Sequence, residues 1–228
     1  FTAQEIANQL DNMDSDDATD LIQDLSEERK EKVLSKLEDA EQASDIVSLL
    51  SYPEDTAGGL MAKEYIKANI NWTVEECLEE LRSQAEDVDY VHTIYVVDNQ
   101  NKLQGTLSLK TFLFAVNNTK ISNLYKEEPI YVKTDTPDED VANIMEKYDL
   151  VALPVLNQAN ILVGRITIDD IVEVIKEEAE KDFQLASGIF ENVESKDSVW
   201  LLTRARLPWL LIGLVGGIFG AVVIKSFE

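Results

Sequence analysis

The stretch Tyr95–Gly105, YVVDNQNKLQG, returns 59 residues later as Pro154–Gly164, PVLNQANILVG, without a gap. Each copy has a short apolar run, a polar turn that contains Asn, and a second run that ends at a glycine. Short apolar runs around such a turn predict two paired β-strands. A unit of about 60 residues that cannot close its own core predicts two α/β copies that pack as a pair.

Helical patterns flank the strand pair in both copies. Thr73 and Glu76 have the spacing of a capping box, which predicts a helix before the first strand pair, and an apolar helix follows from about Lys110. The second copy opens at Thr136, and its last helix starts at Asp169. We therefore assign residues 61–120 to the first repeat and 121–175 to the second.

The residues before the repeats have no strand pattern. Apolar residues recur at helical spacing in three short stripes, which predicts an all-α domain over residues 1–60. This part is also acidic, with 16 acidic residues against four basic ones up to Asp55. The stretch Tyr52–Met61, YPEDTAGGLM, contains one Pro and two Gly residues, and we interpret it as a hinge.

The whole chain is strongly acidic, with 44 acidic and 20 basic residues in 228 and a net charge of −24. A nucleic-acid-binding protein needs a basic surface, so this function is excluded. Self-repulsion of this size opposes compaction unless cations screen or bridge the carboxylates. The single cysteine, Cys77, lies among apolar residues at helical spacing, which predicts a buried thiol.

An uncharged run of 18 residues, Leu207–Ile224, lies near the end of the chain. At 1.5 Å per residue it is about 27 Å long, which matches the hydrocarbon core of a bilayer and predicts one transmembrane helix over 207–224. Arg204 and Arg206 precede it, so the positive-inside rule places residues 1 to about 206 in the cytoplasm. A long connecting helix is predicted over 169–192. The chain begins at Phe1, and we expect it to be part of a longer protein.

The paired units resemble a tandem CBS module, a pair of β-α-β-β-α motifs that often binds adenine nucleotides. The YPEDTAGGLM hinge, the stretch KYDLVALPV and an acidic helix before a membrane span resemble the MgtE-type magnesium channels over essentially the full chain. The resemblance implies a homodimeric membrane protein that transports Mg²⁺. It also implies that the cytosolic domains bind regulatory Mg²⁺ between acidic surfaces, and that the connecting helix closes the pore when Mg²⁺ is high.

Carboxylates are the candidate sensor groups, because Mg²⁺ is often held by one or two carboxylates plus waters. The group in MDSDDATD lies at a predicted helix start, where N-capping is the alternative role. Helical spacing puts Asp170, Glu173 and Glu177 on one face, and a solvated face or a helix cap is the alternative there. The resemblance implies ligands at Asp149 and Asp170, and a plain turn aspartate is the alternative at Asp149. The predicted ligands are Asp16, Asp17, Asp20, Asp138, Asp149, Asp170, Glu173, Glu177, Glu178 and Asp182.

Nucleotide binding by a CBS module attached to another membrane transporter is the competing hypothesis. CBS sites commonly pair a Ser or Thr with an Asp three residues later, and Thr167 and Asp170 keep that spacing. In the first repeat Ser108 is followed by Thr111, so the acidic partner is absent and ATP as a ligand is doubtful. The sequence contains no Ser/His/Asp or Cys/His set, and we expect no enzymatic activity.

Overall fold

The computed structural model describes residues 1–84, 91, 93–186 and 199–225 of the chain. The chain divides into two compact units, Phe1–Val172 and Glu173–Glu228.

The N-terminal region of the first unit is all-α, as predicted. Its helices are α1 (Ala3–Leu10), α2 (Ser15–Gln23), α3 (Glu27–Leu34) and α4 (Ala40–Leu49). Their apolar faces meet in one small core made of Ala7, Leu10, Ala18, Ile22, Val33 and Ile46. Leu21 and Val47, which the stripes also included, are about half exposed.

The segment interpreted as a hinge is a packed part of the second repeat. It contains the short helix α5 (Ala57–Leu60), and both Ala57 and Met61 are fully buried in the core of that repeat. A Cβ on Gly58 would lie 2.6 Å from the Tyr52 ring and 2.9 Å from the Thr134 carbonyl oxygen. The glycine therefore permits close packing here, and the interpretation of this stretch as a hinge stays a prediction.

The first repeat folds as the alternating pattern predicted. It comprises β1 (Ile66–Asn69), α6 (Val74–Gln84), β2 (Ile94–Val97), β3 (Leu103–Leu107), α7 (Leu109–Leu113), a 3₁₀ turn (Ile121–Asn123) and β4 (Lys126–Glu127). The sheet order is β1-β2-β3-β4, with β1 and β2 parallel and the other pairs antiparallel. Its core includes Cys77, which is fully buried as predicted.

The second repeat has the topology of the β1–α6–β2–β3–α7 part of the first repeat. It comprises β5 (Val132–Lys133), α8 (Asp138–Tyr148), β6 (Ala152–Leu156), β7 (Leu162–Thr167) and α9 (Ile168–Ala186). The strands are ordered β5-β6-β7, with β5 and β6 parallel and β6 and β7 antiparallel. The turns of the two repeats place Asn101 and Asn160 at φ of 56° and 62°, a left-handed conformation that Asn tolerates better than most residues.

In each repeat, one segment forms backbone hydrogen bonds with a strand of the other repeat. Ala62, which lies before β1, pairs with Arg165 on β7 of the second repeat, and β4, which lies before β5, pairs with β3 of the first repeat. The crossing segments pass over the glycines that end the two aligned stretches, Gly105 and Gly164. The repeats are thus tied by backbone hydrogen bonds as well as by side-chain packing.

A small apolar cluster lies between the two sheets, which confirms that the copies pack as a pair. It contains Tyr95, Val97, Leu156 and Leu162, with Tyr65 packed against it. The rings of Tyr65 and Tyr95 meet edge to face, with centroids 6.2 Å apart.

The second unit contains most of α9 and the helix α10 (Val199–Lys225). The predicted connecting helix, 169–192, is helical to Ala186, and residues 187–192 lie outside the described residues. In α10 the side chains of 199–206 and 209 are not described. Among the described residues, no helix is long and apolar enough to cross a membrane.

Candidate functional site

An acidic cleft of about 1050 Å³ separates the helical region from the two repeats. The turn 11–14 and the helices α2 and α4 form one wall, and the segment 62–67, α6, the end of β7 and the start of α9 form the other. Eleven of the lining side chains are carboxylic acids and three are basic. The acids are Asp11, Asp14, Asp16, Asp17, Asp39, Glu41, Asp45, Glu64, Glu80, Asp169 and Asp170, and the bases are Lys63, Lys67 and Arg165.

Asp16, one of the predicted ligands, has a strongly raised pKa in the cleft. Burial, together with the negative charges of Asp170, Asp17 and Glu64, raises its pKa to about 8. Asp16 belongs to the helical region and Asp170 to the second repeat. The charge of one part of the first unit therefore acts directly on the other.

Asp170 caps the start of α9 and also faces the cleft. Its Oδ2 accepts hydrogen bonds from the backbone N–H and the hydroxyl of Thr167, both at 2.8 Å. Burial still raises its pKa, although these hydrogen bonds and Arg165 lower it. The capping role that the sequence left open is present, and one carboxylate oxygen is still available for a second partner.

Glu64 fixes the start of α2 against the repeats. Its carboxylate accepts from the Ser15 backbone N–H at 3.1 Å and from the Ser15 hydroxyl at 2.9 Å. The Lys63 backbone N–H donates to the same hydroxyl oxygen at 2.9 Å. Burial raises the pKa of Glu64 despite these bonds.

An ion pair joins the two walls of the cleft beside this contact. Arg165 Nη2 lies 3.3 Å from Asp14 Oδ2, with the arginine side chain 8% exposed and the aspartate side chain 35% exposed. Arg165 stands in β7 between apolar neighbours, and its backbone exchanges hydrogen bonds with Ala62 at 2.8 and 2.9 Å. The helical region is therefore attached through a charged contact and a capping contact, both next to Asp16.

The other predicted ligands lie at different places. Asp17 lines the cleft and is exposed. Asp20 is exposed on α2, and Asp138 is half-buried in the first turn of α8; neither lines the cleft. Asp149 is exposed at the C-terminus of α8, with φ of 51°. The structure therefore brings Asp16, Asp17 and Asp170 to one cleft, which Asp20, Asp138 and Asp149 do not line.

The remaining predicted ligands belong to the second unit. Glu173 is exposed and Glu178 is half-buried on α9. The side chains of Glu177 and Asp182 lie outside the described residues. Their assignment as ligands stays a prediction.

The chemistry of the donors suits a hydrated cation more than a directly coordinated one. Across the described residues there is no group of three or more His, Cys, Asp or Glu side chains placed to hold a metal ion. Mg²⁺, however, dehydrates reluctantly and is commonly held by one or two carboxylates through its own waters. A wide cleft lined by carboxylates, with Asp16 and Asp170 repelling each other, fits that mode of binding.

The residues considered for nucleotide binding are engaged as helix caps. In the second repeat Thr167 bonds to Asp170, and in the first the hydroxyls of Ser108 and Thr111 lie 2.8 Å apart. Thr167 is buried, with 7% of its surface exposed. Both pairs serve the N-terminus of the helix that follows the strand pair.

Three residues of the cleft, Glu64, Lys63 and Arg165, were missed by the sequence reasoning. Glu64 and Lys63 lie in a segment whose place in the cleft depends on the crossing between repeats. Arg165 could have been identified from the sequence, because a charged residue inside the apolar strand LVGRITI needs a buried partner.

Comparison with known families assigns most of the chain. Residues 1–55 match the family described as the MgtE intracellular N domain. Residues 57–118 and 121–177 each match the CBS domain.

Two curated relatives align with nearly the whole chain. The Magnesium transporter MgtE of Thermus thermophilus is 35% identical over 217 residues, which cover 93% of this chain and 48% of that protein. The Magnesium transporter MgtE of Bacillus subtilis is 31% identical over 219 residues, covering 96% and 48%. The chain thus spans about half the length of the curated relatives it matches.

Two solved structures are also similar at 35% identity. One is described as the soluble part of a magnesium transporter, with a TM-score of 0.73 over 78% of this chain and 70% of that one. The other is described as the cytosolic domain of the Mg²⁺ channel MgtE in complex with ATP, with a TM-score of 0.70 over 74% and 69%.

Proposed function

Because the chain belongs to the MgtE family through its N domain and its CBS pair, we propose that it is the cytosolic regulatory part of a magnesium transporter. In this proposal it senses intracellular Mg²⁺ and closes the pore of the whole protein when Mg²⁺ is high. The whole protein is proposed to be a homodimer in the cell membrane, with residues 1 to about 206 in the cytoplasm and residues 207–224 as its first membrane span. The acidic cleft is the proposed sensor.

The observation that carries this proposal is the placement of Asp16 opposite Asp170 across the cleft. Each carboxylate is largely removed from water, and the charge of Asp170 raises the pKa of Asp16. Two like charges in this setting oppose the docked arrangement of the N domain on the second repeat. A divalent cation between them removes the repulsion and stabilises docking.

The residues of the cleft have separate roles in this mechanism. Asp16 and Asp170 would hold the hydrated ion between the two walls, with Asp17 close to the same position. Glu64 orients the start of α2 through Ser15, so that Asp16 is presented to the second repeat. Mg²⁺ supplies the positive charge, and the N domain is the part that moves onto the second repeat.

We expect Mg²⁺ to draw the N domain onto the CBS pair, because only the docked arrangement brings the facing carboxylates together. The measurement is energy transfer between dyes on Gln9→Cys in α1 and Lys110→Cys in α7, with Cys77 replaced by Ala. Transfer should rise with millimolar Mg²⁺, and NaCl of equal ionic strength should not reproduce the rise.

Asp170→Asn should shift the Mg²⁺ titration to higher concentration by about tenfold, since loss of a charged ligand contact costs roughly 1.5–3 kcal/mol. It should also strengthen metal-free docking, because it removes the charge that opposes ionisation of Asp16. Asparagine can still accept the hydrogen bonds from Thr167, so the start of α9 is preserved. Asp135→Asn removes an equal charge from an exposed position outside the cleft and should leave the titration unchanged. Equal titrations for all three proteins would remove Asp170 from the sensor.

ATP is a second candidate ligand, because one similar structure is described as a complex with ATP. The engagement of Thr167 with Asp170 argues that a nucleotide would have to compete with a helix cap. A titration with ATP in the presence of a metal chelator separates the two hypotheses. If ATP without metal increases energy transfer and Mg²⁺ alone does not, the chain is a nucleotide sensor.

A further inference from the structure

Arg165 is an unusual residue for the place it occupies. It lies in the middle of the short strand β7, 6% exposed, among apolar residues that face the core of the second repeat. Burial of a guanidinium group is costly unless its donors are satisfied. The Nε atom of Arg165 is buried without a hydrogen-bond partner, so the cost is only partly offset.

Packing of the repeat does not require this charge. The corresponding position in the first repeat is Thr106, a neutral residue on β3. Apolar residues of similar volume commonly replace buried ion pairs without loss of stability. A charge kept at this cost therefore points to a role outside the core of the repeat.

The charge is directed at the N domain. Arg165 Nη2 is 3.3 Å from Asp14 Oδ2, which lies immediately before α2. The same charge acts on Asp170, whose pKa it lowers against the larger effect of burial. The guanidinium thus pairs with a carboxylate of the N domain, and its charge also acts on Asp170, one of the two carboxylates proposed to hold the divalent ion.

We propose that Arg165 is a tethered cation that docks the N domain onto the second CBS repeat without metal, and so sets how much of the docking depends on Mg²⁺. This inference rests on the proposed function for its Mg²⁺ part only. One positive charge offsets part of the repulsion among the cleft carboxylates, and Mg²⁺ offsets the remainder. Arg165 acts through Asp14 and is a positioning residue.

The ion pair and the Ser15–Glu64 contact support each other. Both hold the first turn of α2, one through Asp14 and the other through the next residue. Because they are adjacent, loss of the ion pair should loosen the start of α2 and with it Asp16. The tether therefore controls the position of the proposed ligand as well as the charge beside it.

The test measures docking of the full chain by energy transfer, first in a chelator and then in saturating Mg²⁺. Arg165→Met should lower the metal-free docking equilibrium about tenfold, as expected for a lost hydrogen bond between charged groups. Saturating Mg²⁺ should restore docking to the level of the unmodified chain, so the amplitude of the Mg²⁺ response becomes larger. Arg165→Lys keeps the positive charge but loses the planar guanidinium group. Its metal-free docking equilibrium should lie between those of the unmodified chain and Arg165→Met.

Two further variants protect the test against misfolding and general charge effects. Asp14→Asn removes the same ion pair from the exposed side and leaves β7 untouched, so it should also lower metal-free docking. Combined with Arg165→Met, it should add little further loss. Lys67→Met removes a positive charge from the same cleft without breaking an ion pair among those described, and should change docking less than about twofold.

Unchanged metal-free docking in both Arg165→Met and Asp14→Asn would overturn the proposal. It would also be overturned if Lys67→Met had the same effect as Arg165→Met, since the tether would then be a nonspecific charge. If the unmodified chain does not respond to Mg²⁺ while Arg165→Met still lowers metal-free docking, the tether stands and the proposed magnesium sensing fails.

Discussion

Asp16→Asn is expected to strengthen metal-free docking of the N domain near neutral pH and to abolish most of the Mg²⁺ response. In the docked arrangement burial and three neighbouring carboxylates oppose ionisation of Asp16, which raises its pKa to about 8. The neutral amide removes this repulsion permanently, so docking no longer needs a cation. A variant that loses a proposed ligand should therefore mimic the metal-bound state.

The pH dependence of docking provides the direct measurement. A carboxyl group whose pKa is raised from 3.8 to about 8 contributes most to docking when it is protonated. Metal-free docking should thus be strongest below about pH 4, weaken as the pH rises through the interval from 4 to 8, and level off above it. Burial also raises the pKa values of Asp170 and Glu64, and both should act in the same direction.

The affinity for Mg²⁺ should increase as the pH rises, opposite to the trend of metal-free docking, since protons compete with the ion for the carboxylate. In Asp16→Asn both dependences should become much smaller. Asp24→Asn, at the exposed C-terminus of α2, removes the same charge from the same helix and should behave as the unmodified chain. A full pH dependence in Asp16→Asn would show that another group controls docking.

Gly105→Ala is expected to destabilise the CBS pair by about 3 kcal/mol, the upper end of the usual cost of overpacking. A Cβ at this position would lie 2.2 Å from the Lys126 carbonyl oxygen and 2.4 Å from the Tyr125 ring. The Lys126 oxygen belongs to the backbone of β4, so relief requires β4 to move away from β3. Urea unfolding followed by far-ultraviolet circular dichroism measures the loss.

Gly164→Ala tests the equivalent contact in the second repeat, and it should lower the free energy of unfolding by less than Gly105→Ala does. Its Cβ would lie 2.7 Å from Met61 Sδ, which can rotate away, and 2.8 Å from the Ala62 carbonyl oxygen. Thr106→Ala, beside Gly105 on β3, adds no atom against a crossing segment and should cost less than about 1 kcal/mol. Equal losses for all three variants would mean that the crossing segments do not constrain the repeats.

Much of the architecture was predictable because it is local. The capping pair Thr73 and Glu76 and the aligned stretches ending at Gly105 and Gly164 specify helices, strands and turns within a few residues of themselves. Periodicity also predicted burial of Cys77. It did not distinguish Ile22, which is buried, from Leu21, which is half exposed, because both fit one broad apolar stripe.

The candidate site was only partly predictable. The acidic group around Asp16 and the position of Asp170 were identified from charge, spacing and the family resemblance. Asp16 and Asp170 line one cleft, and Asp138 and Asp149 do not. This placement depends on how the N domain packs against the second repeat. Spacing along a chain carries no information about residues about 150 positions apart.

The sequence by itself determined an acidic helical domain followed by two copies of one α/β unit, because hydrophobic periodicity and turn residues act over short distances. Only the tertiary structure decided that YPEDTAGGLM packs into the second repeat, that Ala62 crosses to β7, and that Arg165 meets Asp14. These features arise from backbone pairing and charge contacts between distant segments. Such contacts form because a strand edge or a charge that is buried without a partner destabilises the fold.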